Sequence, residues 1–223
     1  MVEPAVASEG EWSVEQCIPK DLEQELVGSS NKGNFYFFLH ILKRLKTTKR
    51  TGWLNFEVEN AESIADHMYR MGIISMCATD KALDTGRCVK MALVHDMAES
   101  LVGDITPEDG VCKEEKHRRE LLSIEYLCNI LEPFNPTAAE EIKTLWNEYE
   151  AVSTQEARFV KDVDMFELMV QTLEEERRYQ GKKDLSVFMS VRSQIKTPQV
   201  CDLADGIIAE RKKFWDSISS NNK

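Results

Sequence analysis

A chain of 223 residues, 42 % hydrophobic and 30 % charged, can bury one substantial core and is not expected to be extensively disordered. Its 28 Lys and Arg against 39 Asp and Glu give a formal charge of −11, which argues against binding to a nucleic acid polymer or an anionic membrane. A small anionic substrate is compatible with this charge, because a metal ion and a few local cations can dominate the field inside one cleft.

The amino-terminal sequence MVEPAVASEGEW has neither the basic nor the apolar region of a secretory signal. No run of about 18 apolar residues, the length of a membrane-spanning helix, occurs in the sequence. The 6 cysteines include no CxxC pair, which favours reduced thiols. We therefore expect an intracellular protein, cytoplasmic with the nucleus as an open alternative. Residues 1–30 should form a loose, flexible extension, and residues 31–223 a single domain.

Apolar residues recur at helical spacing past residue 33, which predicts an all-α fold, since strand-like alternation between turn residues is hard to find. The spacing predicts a first helix over residues 34–46. After a loop, it predicts a second helix over residues 61–81, in which His67 lies beside the apolar stripe. That stripe consists of Ile64, Met68 and Met71.

The predicted third helix carries an acid on its apolar face. It begins near Asp84, a residue type favoured at N-caps, and it continues through His95 to Asp96, which aligns with the apolar residues. A loop rich in glycine and proline follows. A fourth helix is predicted over residues 113–132, because it ends before a pair of prolines.

The carboxyl-terminal third of the chain is predicted to be helical as well. Capping boxes at Thr137–Glu140 and Ser153–Glu156 open the fifth and sixth helices. The sixth helix sets Asp164 and Glu167 on the same face as apolar residues. Weaker helices are expected over residues 184–195 and 199–218.

The predicted helices direct a set of histidines and aspartates toward the side that should be buried. The set consists of His67, His95, Asp96 and Asp164. Burial of these groups without partners would be costly, and one divalent cation would compensate all of them, because imidazole and carboxylate are good metal ligands. Each residue alone has a more ordinary explanation, a hydrogen-bonded core histidine or a capping aspartate. Their combination favours a metal site.

Two further acids lie in the same stretch, LVHDMAESLVGD. Glu99 lies one helical turn beyond His95, and Asp104 follows Gly103 where the helix is expected to end. Both are placed to reach a water molecule in the metal site. The alternatives are a solvated carboxylate at a helix end and an ordinary turn residue.

Four segments of the chain carry a resemblance to a known family: ESIADHMYRM, ALVHDMAESLVGDI, KEEKHRRE and FVKDVD. In their order and spacing, over residues 34–215, the chain resembles the HD-domain 5′-deoxynucleotidases. The resemblance implies an all-helical HD-domain bundle that is usually a homodimer. It also implies hydrolysis of deoxynucleoside 5′-monophosphates, small-molecule nucleotides, to the deoxynucleoside and phosphate.

The resemblance further implies roles for individual residues. The ligands of one divalent ion (Mn²⁺ or Co²⁺, otherwise Fe²⁺, Zn²⁺ or Mg²⁺) would be His67, His95, Asp96 and Asp164. Glu99 and Asp104 match the catalytic acids of the family, and Arg50 matches an arginine that contacts the phosphate. Trp53 corresponds to a tryptophan that discriminates against ribose.

Alternatives to these implied roles stay open. In bacterial members of the family the arginine and the tryptophan are adjacent, whereas Thr51 and Gly52 separate them here, so Trp53 could instead pack between helices. An HD hydrolase acting on a cyclic nucleotide or a triphosphate is a second possible activity, although two-metal HD phosphodiesterases need more histidine ligands than the 4 His of this chain supply. A catalytically inactive helical scaffold is the third alternative, against which the two acids Glu99 and Asp104 argue.

Overall fold

Helices dominate the computed structural model, which describes residues 12–20, 22 and 30–221. The α-helices of these residues are α1 Asn31–Leu42, α2 Thr51–Asn55, α3 Ile64–Met76, α4 Thr85–Ala92, α5 Glu99–Val102, α6 Lys113–Leu131, α7 Pro136–Ala151, α8 Gln155–Arg178 and α9 Pro198–Asn221. The 3₁₀ segments are Val14–Cys17, Lys43–Lys46, Pro107–Asp109 and Ser186–Gln194. No strand occurs among the described residues, so the all-α prediction is confirmed.

Helix α8 lies in the middle of the bundle, where it contacts α3, α4, α7 and α9. Its buried apolar face includes Val160, Val163, Met169 and Leu173. Helices α6 and α7 pack against each other, and α1 covers α6. No helix in the described part of the chain is long and apolar enough to cross a membrane.

Several helix ends differ from the sequence-based prediction. Asp84 caps α4 as predicted, because its carboxylate accepts a hydrogen bond from the Arg87 amide. The two predicted capping boxes are wrong in position: Asn135 caps α7 and Thr154 caps α8. Pro136 explains the first error, because proline suits the first position inside a helix and needs no amide partner there.

The predicted third helix, which corresponds to α4, is also shorter than predicted. It ends at Ala92, and His95 and Asp96 lie in the turns between α4 and α5 rather than on a helix. The predicted helix over residues 184–195 is a 3₁₀ segment. These corrections leave the spatial grouping of the polar side chains intact, because the turns after α4 still face the bundle interior.

The predicted amino-terminal extension falls largely on residues 1–11, 21 and 23–29, which lie outside the described residues. The described part of this segment contacts the bundle. Val14 is buried, and the guanidinium groups of Arg118 and Arg119 lie 5.9 and 5.6 Å from the centre of the Trp12 ring. The Arg44 guanidinium donates a 2.7 Å hydrogen bond to the Cys17 carbonyl.

Candidate metal centre and active site

Two separate helices and one turn bring the predicted metal ligands together. Helix α3 carries His67, the turns after α4 carry His95 and Asp96, and α8 carries Asp164. The Nε2 atom of His67 lies 3.2 Å from Asp164 Oδ1 and 3.8 Å from Asp96 Oδ2. The Nε2 atom of His95 lies 3.1 Å from the same Asp96 oxygen. Ligand atoms of His67, His95 and Asp96 therefore all lie within 4.8 Å of one another, and Asp164 adjoins this group through its contact with His67.

Both histidine rings have one nitrogen engaged and one nitrogen aimed at the acids. His67 Nδ1 lies 2.6 Å from Glu167 Oε2, and His95 Nδ1 lies 3.0 Å from the Ala92 carbonyl oxygen. Each Nε2 is buried and has no hydrogen-bond partner of acceptable geometry among the described residues. Histidines that bind a metal through Nε2 and are oriented through Nδ1 have this arrangement. The donor set therefore fits a divalent cation.

Asp96 and Asp164 are ionised. Burial alone would raise the pKa of Asp96 and of Asp164, but His95, His67 and the Arg50 charge lower both pKa values below the usual range. Burial and Arg50 would lower the pKa of His67, whereas Glu167 and Asp164 raise it to about 10. A cation that binds His67 Nε2 must therefore displace a proton.

Glu167 holds His67 in place. It is fully buried on α8, and its Oε1 accepts a 2.6 Å hydrogen bond from Arg70 Nε. Burial would raise the pKa of Glu167, but His67 and Arg70 lower it, so a carboxylate faces the ring. Glu62, His67 and Glu167 are also close enough to hold an ion, but Arg70 already binds Glu167 on that side.

Tyr149 supports two of the other candidate ligands. Its hydroxyl donates a 2.8 Å hydrogen bond to Asp164 Oδ2, and its ring centre lies 4.9 Å from that of His95. The ring is only 3 % exposed, so these contacts are shielded from water. Because Tyr149 uses one oxygen of Asp164, the other oxygen is the one directed at His67.

Replacing Glu167 with glutamine should weaken divalent metal binding by about 10-fold to 100-fold, the usual effect of altering a group that orients a metal-binding histidine. Glu174→Gln is the matched control, because Glu174 also binds Arg70 but its side chain is 52 % exposed. Competition of each variant with a chelating dye measures the affinity. Equal affinities in the wild type and Glu167→Gln would mean that Glu167 has no influence on the metal.

Glu99, the first predicted catalytic acid, lies in the same cluster. It begins α5, is only 4 % exposed, and its Oε2 has no hydrogen-bond partner in the described part of the chain. Burial and the charges of Asp96 and Asp104 raise its pKa well above the usual value. Raised pKa values of this kind are common among the carboxyl groups of catalytic sites.

Asp104, the second predicted acid, is held by the segment that follows Arg50. Gly103 ends α5 with a φ of 77°, a conformation that favours glycine, and so turns the chain back toward the site. Asp104 Oδ2 accepts a 2.6 Å hydrogen bond from the Thr51 amide, and the Asp104 carbonyl accepts a 2.7 Å bond from Thr51 Oγ1. Asp104 and Arg50 are thus brought to the same edge of the cluster.

Arg50 supplies positive charge at this edge. Its Nη1 lies 3.4 Å from Asp96 Oδ2, and its side chain is 16 % exposed. Burial would lower the pKa of Arg50, but Asp104 and Asp96 raise it, so the guanidinium stays charged. Lys116 is a second cation near the acids; its Nζ donates a 2.8 Å hydrogen bond to the Ile105 carbonyl. Lys116 lies in the KEEKHRRE segment, but the sequence alone assigned it no role.

Trp53 lies outside the converging cluster. Its indole is 1 % exposed, packs edge-on against Phe188 with the ring centres 4.8 Å apart, and donates a 2.9 Å hydrogen bond to Glu62 Oε1. Its buried neighbours are Val58, Ala61 and Leu185. This environment fits the packing alternative, and discrimination against ribose stays a prediction.

Comparisons with known proteins place the chain in a known family. Residues 42–203 match the family described as HD domain. The chain is 45 % identical over 209 residues to the 5′-deoxynucleotidase YGK1 of Saccharomyces cerevisiae, covering 93 % of this chain and 96 % of that protein. It is 52 % identical over 182 residues to the 5′-deoxynucleotidase hdd1 of Schizosaccharomyces pombe, covering 81 % and 92 %. The solved structure of the HD domain-containing protein YGK1 matches with a TM-score of 0.73 at 38 % identity, over 92 % of this chain and 100 % of that chain.

Proposed function

This chain belongs to the HD domain family, and we infer that it is a 5′-deoxynucleotidase, which hydrolyses deoxynucleoside 5′-monophosphates to the deoxynucleoside and phosphate. One observation carries the inference for this chain itself. The buried, unpaired Nε2 atoms of His67 and His95 face the same aspartate, with the unpaired carboxyl group of Glu99 beside them. A purely structural cluster would gain nothing from leaving these groups without partners.

We propose that one divalent ion is held by His67, His95, Asp96 and Asp164. Two imidazoles and two carboxylates form a donor set that accepts Mn²⁺ or Co²⁺, and also Fe²⁺, Zn²⁺ or Mg²⁺. Such an ion, when bound, lowers the pKa of water and stabilises charge on a phosphoryl oxygen. The mutual proximity of His67, His95 and Asp96, together with the contact of Asp164 with His67, supports this assignment.

The remaining side chains have distinct parts in the proposed reaction. Glu99 takes a proton from the attacking water, whose oxygen bonds to phosphorus as the bond from phosphorus to the 5′-oxygen breaks. Asp104 positions the water or assists the departure of the 5′-oxygen, which takes up a proton from solvent water. Arg50 holds the phosphate through paired hydrogen bonds. The position of Glu99 supports its role, because its Oε2 is buried in the site and makes no hydrogen bond within the described residues.

A panel of substrates tests the proposed activity. Purified protein loaded with Mn²⁺ or Co²⁺ is assayed for phosphate release from deoxynucleoside and ribonucleoside 5′-monophosphates, with cyclic nucleotides and triphosphates beside them. The deoxynucleoside monophosphates should give the highest kcat/KM. Turnover confined to cyclic nucleotides or triphosphates would favour the second activity, and no turnover of any nucleotide would favour the inactive scaffold.

The proposal includes a homodimer and a cytoplasmic location, with residues 1–30 as an extension to an HD domain over residues 31–223. An apolar stripe on the outer face of α3 supports self-association, because exposed apolar patches mark interaction surfaces. Its members are Tyr69, Ile73 and Met76, which are 68 %, 43 % and 65 % exposed.

Replacing Trp53 tests the predicted discrimination against ribose. Trp53→Phe should lower the deoxy-to-ribo ratio of kcat/KM by about 10-fold, the scale on which an apolar pocket distinguishes one additional group. Phenylalanine is preferred to alanine, because loss of a buried aromatic costs about 3–5 kcal/mol of folding stability. Phe188→Leu is the control, since it disturbs the same packing cluster from the other side. An unchanged ratio, or an equal change in both variants, would assign Trp53 to packing.

A further inference from the structure

We propose that Thr51 is a positioning residue that fixes Asp104 for the reaction, a role that rests on the proposed function. Thr51 makes two hydrogen bonds to this one residue. Its amide donates to the Asp104 carboxylate at 2.6 Å, and its hydroxyl donates to the Asp104 carbonyl at 2.7 Å. The side chain and the main chain of Asp104 are therefore held by the same partner.

The segment around Asp104 depends on such polar contacts. Residues 103–106 are only partly buried, and Asp104 lies beyond the end of α5. The carbonyl of the next residue, Ile105, is held from the other side by Lys116 Nζ at 2.8 Å. A carboxylate that positions water or a leaving group must be fixed within about 0.5 Å, so these bonds take the place of packing.

Thr51 also ties Asp104 to Arg50. The Arg50 amide donates a 3.2 Å hydrogen bond to the Glu62 carbonyl, so Arg50 is anchored on one side and its neighbour Thr51 on the other. These bonds therefore fix the position of Asp104, which would act on the substrate, relative to Arg50, which would hold the phosphate of the same substrate. Thr51 is one of the two residues that separate Arg50 from Trp53, and its hydrogen bonds to Asp104 give this longer spacing a structural role.

The hydroxyl is the part of Thr51 that mutation can remove selectively. Thr51→Val keeps the branched shape and the amide but loses the bond to the Asp104 carbonyl, whereas Thr51→Ser keeps the hydroxyl. We expect Thr51→Val to lower kcat by about 10-fold, since small misplacements of reacting groups cost up to about 100-fold. KM, metal content and Tm should stay near wild type, and Thr51→Ser should recover most of the lost kcat.

A double-mutant cycle decides whether Thr51 acts through Asp104. In an Asp104→Ala background, Thr51→Val should cause no further loss of kcat. The role is overturned if Thr51→Val has wild-type kcat, or if the same loss recurs in the Asp104→Ala background. Thr51→Ala provides a second test if the valine variant does not fold. If wild-type protein releases no phosphate from any deoxynucleoside monophosphate, the proposed function and the role of Thr51 both fail. If wild-type protein is active and only the results for the Thr51 variants are contrary, the role of Thr51 alone fails.

Discussion

Replacing Glu99 with alanine should leave the protein folded and metal-loaded but lower kcat by about 10²-fold to 10⁴-fold, the usual effect of removing a positioned base. The carboxyl group is buried, yet its Oε2 makes no hydrogen bond within the described residues, so little structure depends on it. Burial and the charges of Asp96 and Asp104 raise its pKa, as is common for the carboxyl groups of catalytic sites.

The measurement combines kcat on a deoxynucleoside 5′-monophosphate with metal content by elemental analysis. Glu108→Ala is the control, because Glu108 is an exposed acid in the following loop. A metal-free Glu99→Ala protein would make Glu99 a ligand. Wild-type kcat in the Glu99→Ala variant would indicate that Asp104, and not Glu99, accepts the proton from water.

Replacing Asp164 with alanine should release the metal and abolish phosphate release. Asp164 is the one candidate ligand that α8 contributes, and its loss also leaves the Tyr149 hydroxyl without its acceptor. A ligand removed from a metal site weakens the site itself, and the stabilisation that metal binding adds to the fold is lost with it. We therefore expect metal content near zero and a lowered Tm in metal-containing buffer.

Asp162→Ala separates the loss of a metal ligand from the loss of a buried carboxylate on the same helix. Asp162 is 3 % exposed and accepts hydrogen bonds from the amides of Lys196 and Thr197 at 3.0 and 2.5 Å. This control should lower Tm but keep the metal. An Asp164→Ala protein that still contains one ion per chain would show that Asp164 is not a ligand.

The helical class and the grouping of the site followed from the sequence because both depend on local spacing. His67 and Asp164 each lie beside an apolar stripe of their own helix, and a stripe must face the core. His95 and Asp96 reached the same place although they lie in turns, because the chain after α4 still runs along the interior. The pattern indicated the buried side correctly, but it did not indicate where the helix ends.

The partners that orient the ligands could not be predicted in the same way. Glu167 lies 100 residues from His67, and Arg70 lies 97 residues from Glu167 along the chain. Such pairings arise from the packing of α3 against α8, which no local pattern encodes. The spacing of Glu167, one turn after Asp164, was visible in the sequence, but only the fold shows which histidine it reaches.

The environment of Trp53 could not be predicted from the sequence either. The family resemblance suggested a substrate contact for Trp53, but the 3₁₀ segment Ser186–Gln194 brings Phe188 against it from far along the chain. The sequence indicated no role for Thr51, which appears there only as one of the two residues that separate Arg50 from Trp53. Its two hydrogen bonds to Asp104 join segments 53 residues apart.

Titration of metal-free protein with Mn²⁺, followed by the rate of phosphate release from a deoxynucleoside 5′-monophosphate, tests the central claim most directly. The account predicts no turnover before Mn²⁺ is added, a linear rise on addition and a plateau at one equivalent per chain. Tm should rise over the same range, because the ion binds the folded protein. Turnover at the original rate by fully chelated protein, or a rate that climbs on to two equivalents, would contradict a single metal ion held by His67, His95, Asp96 and Asp164.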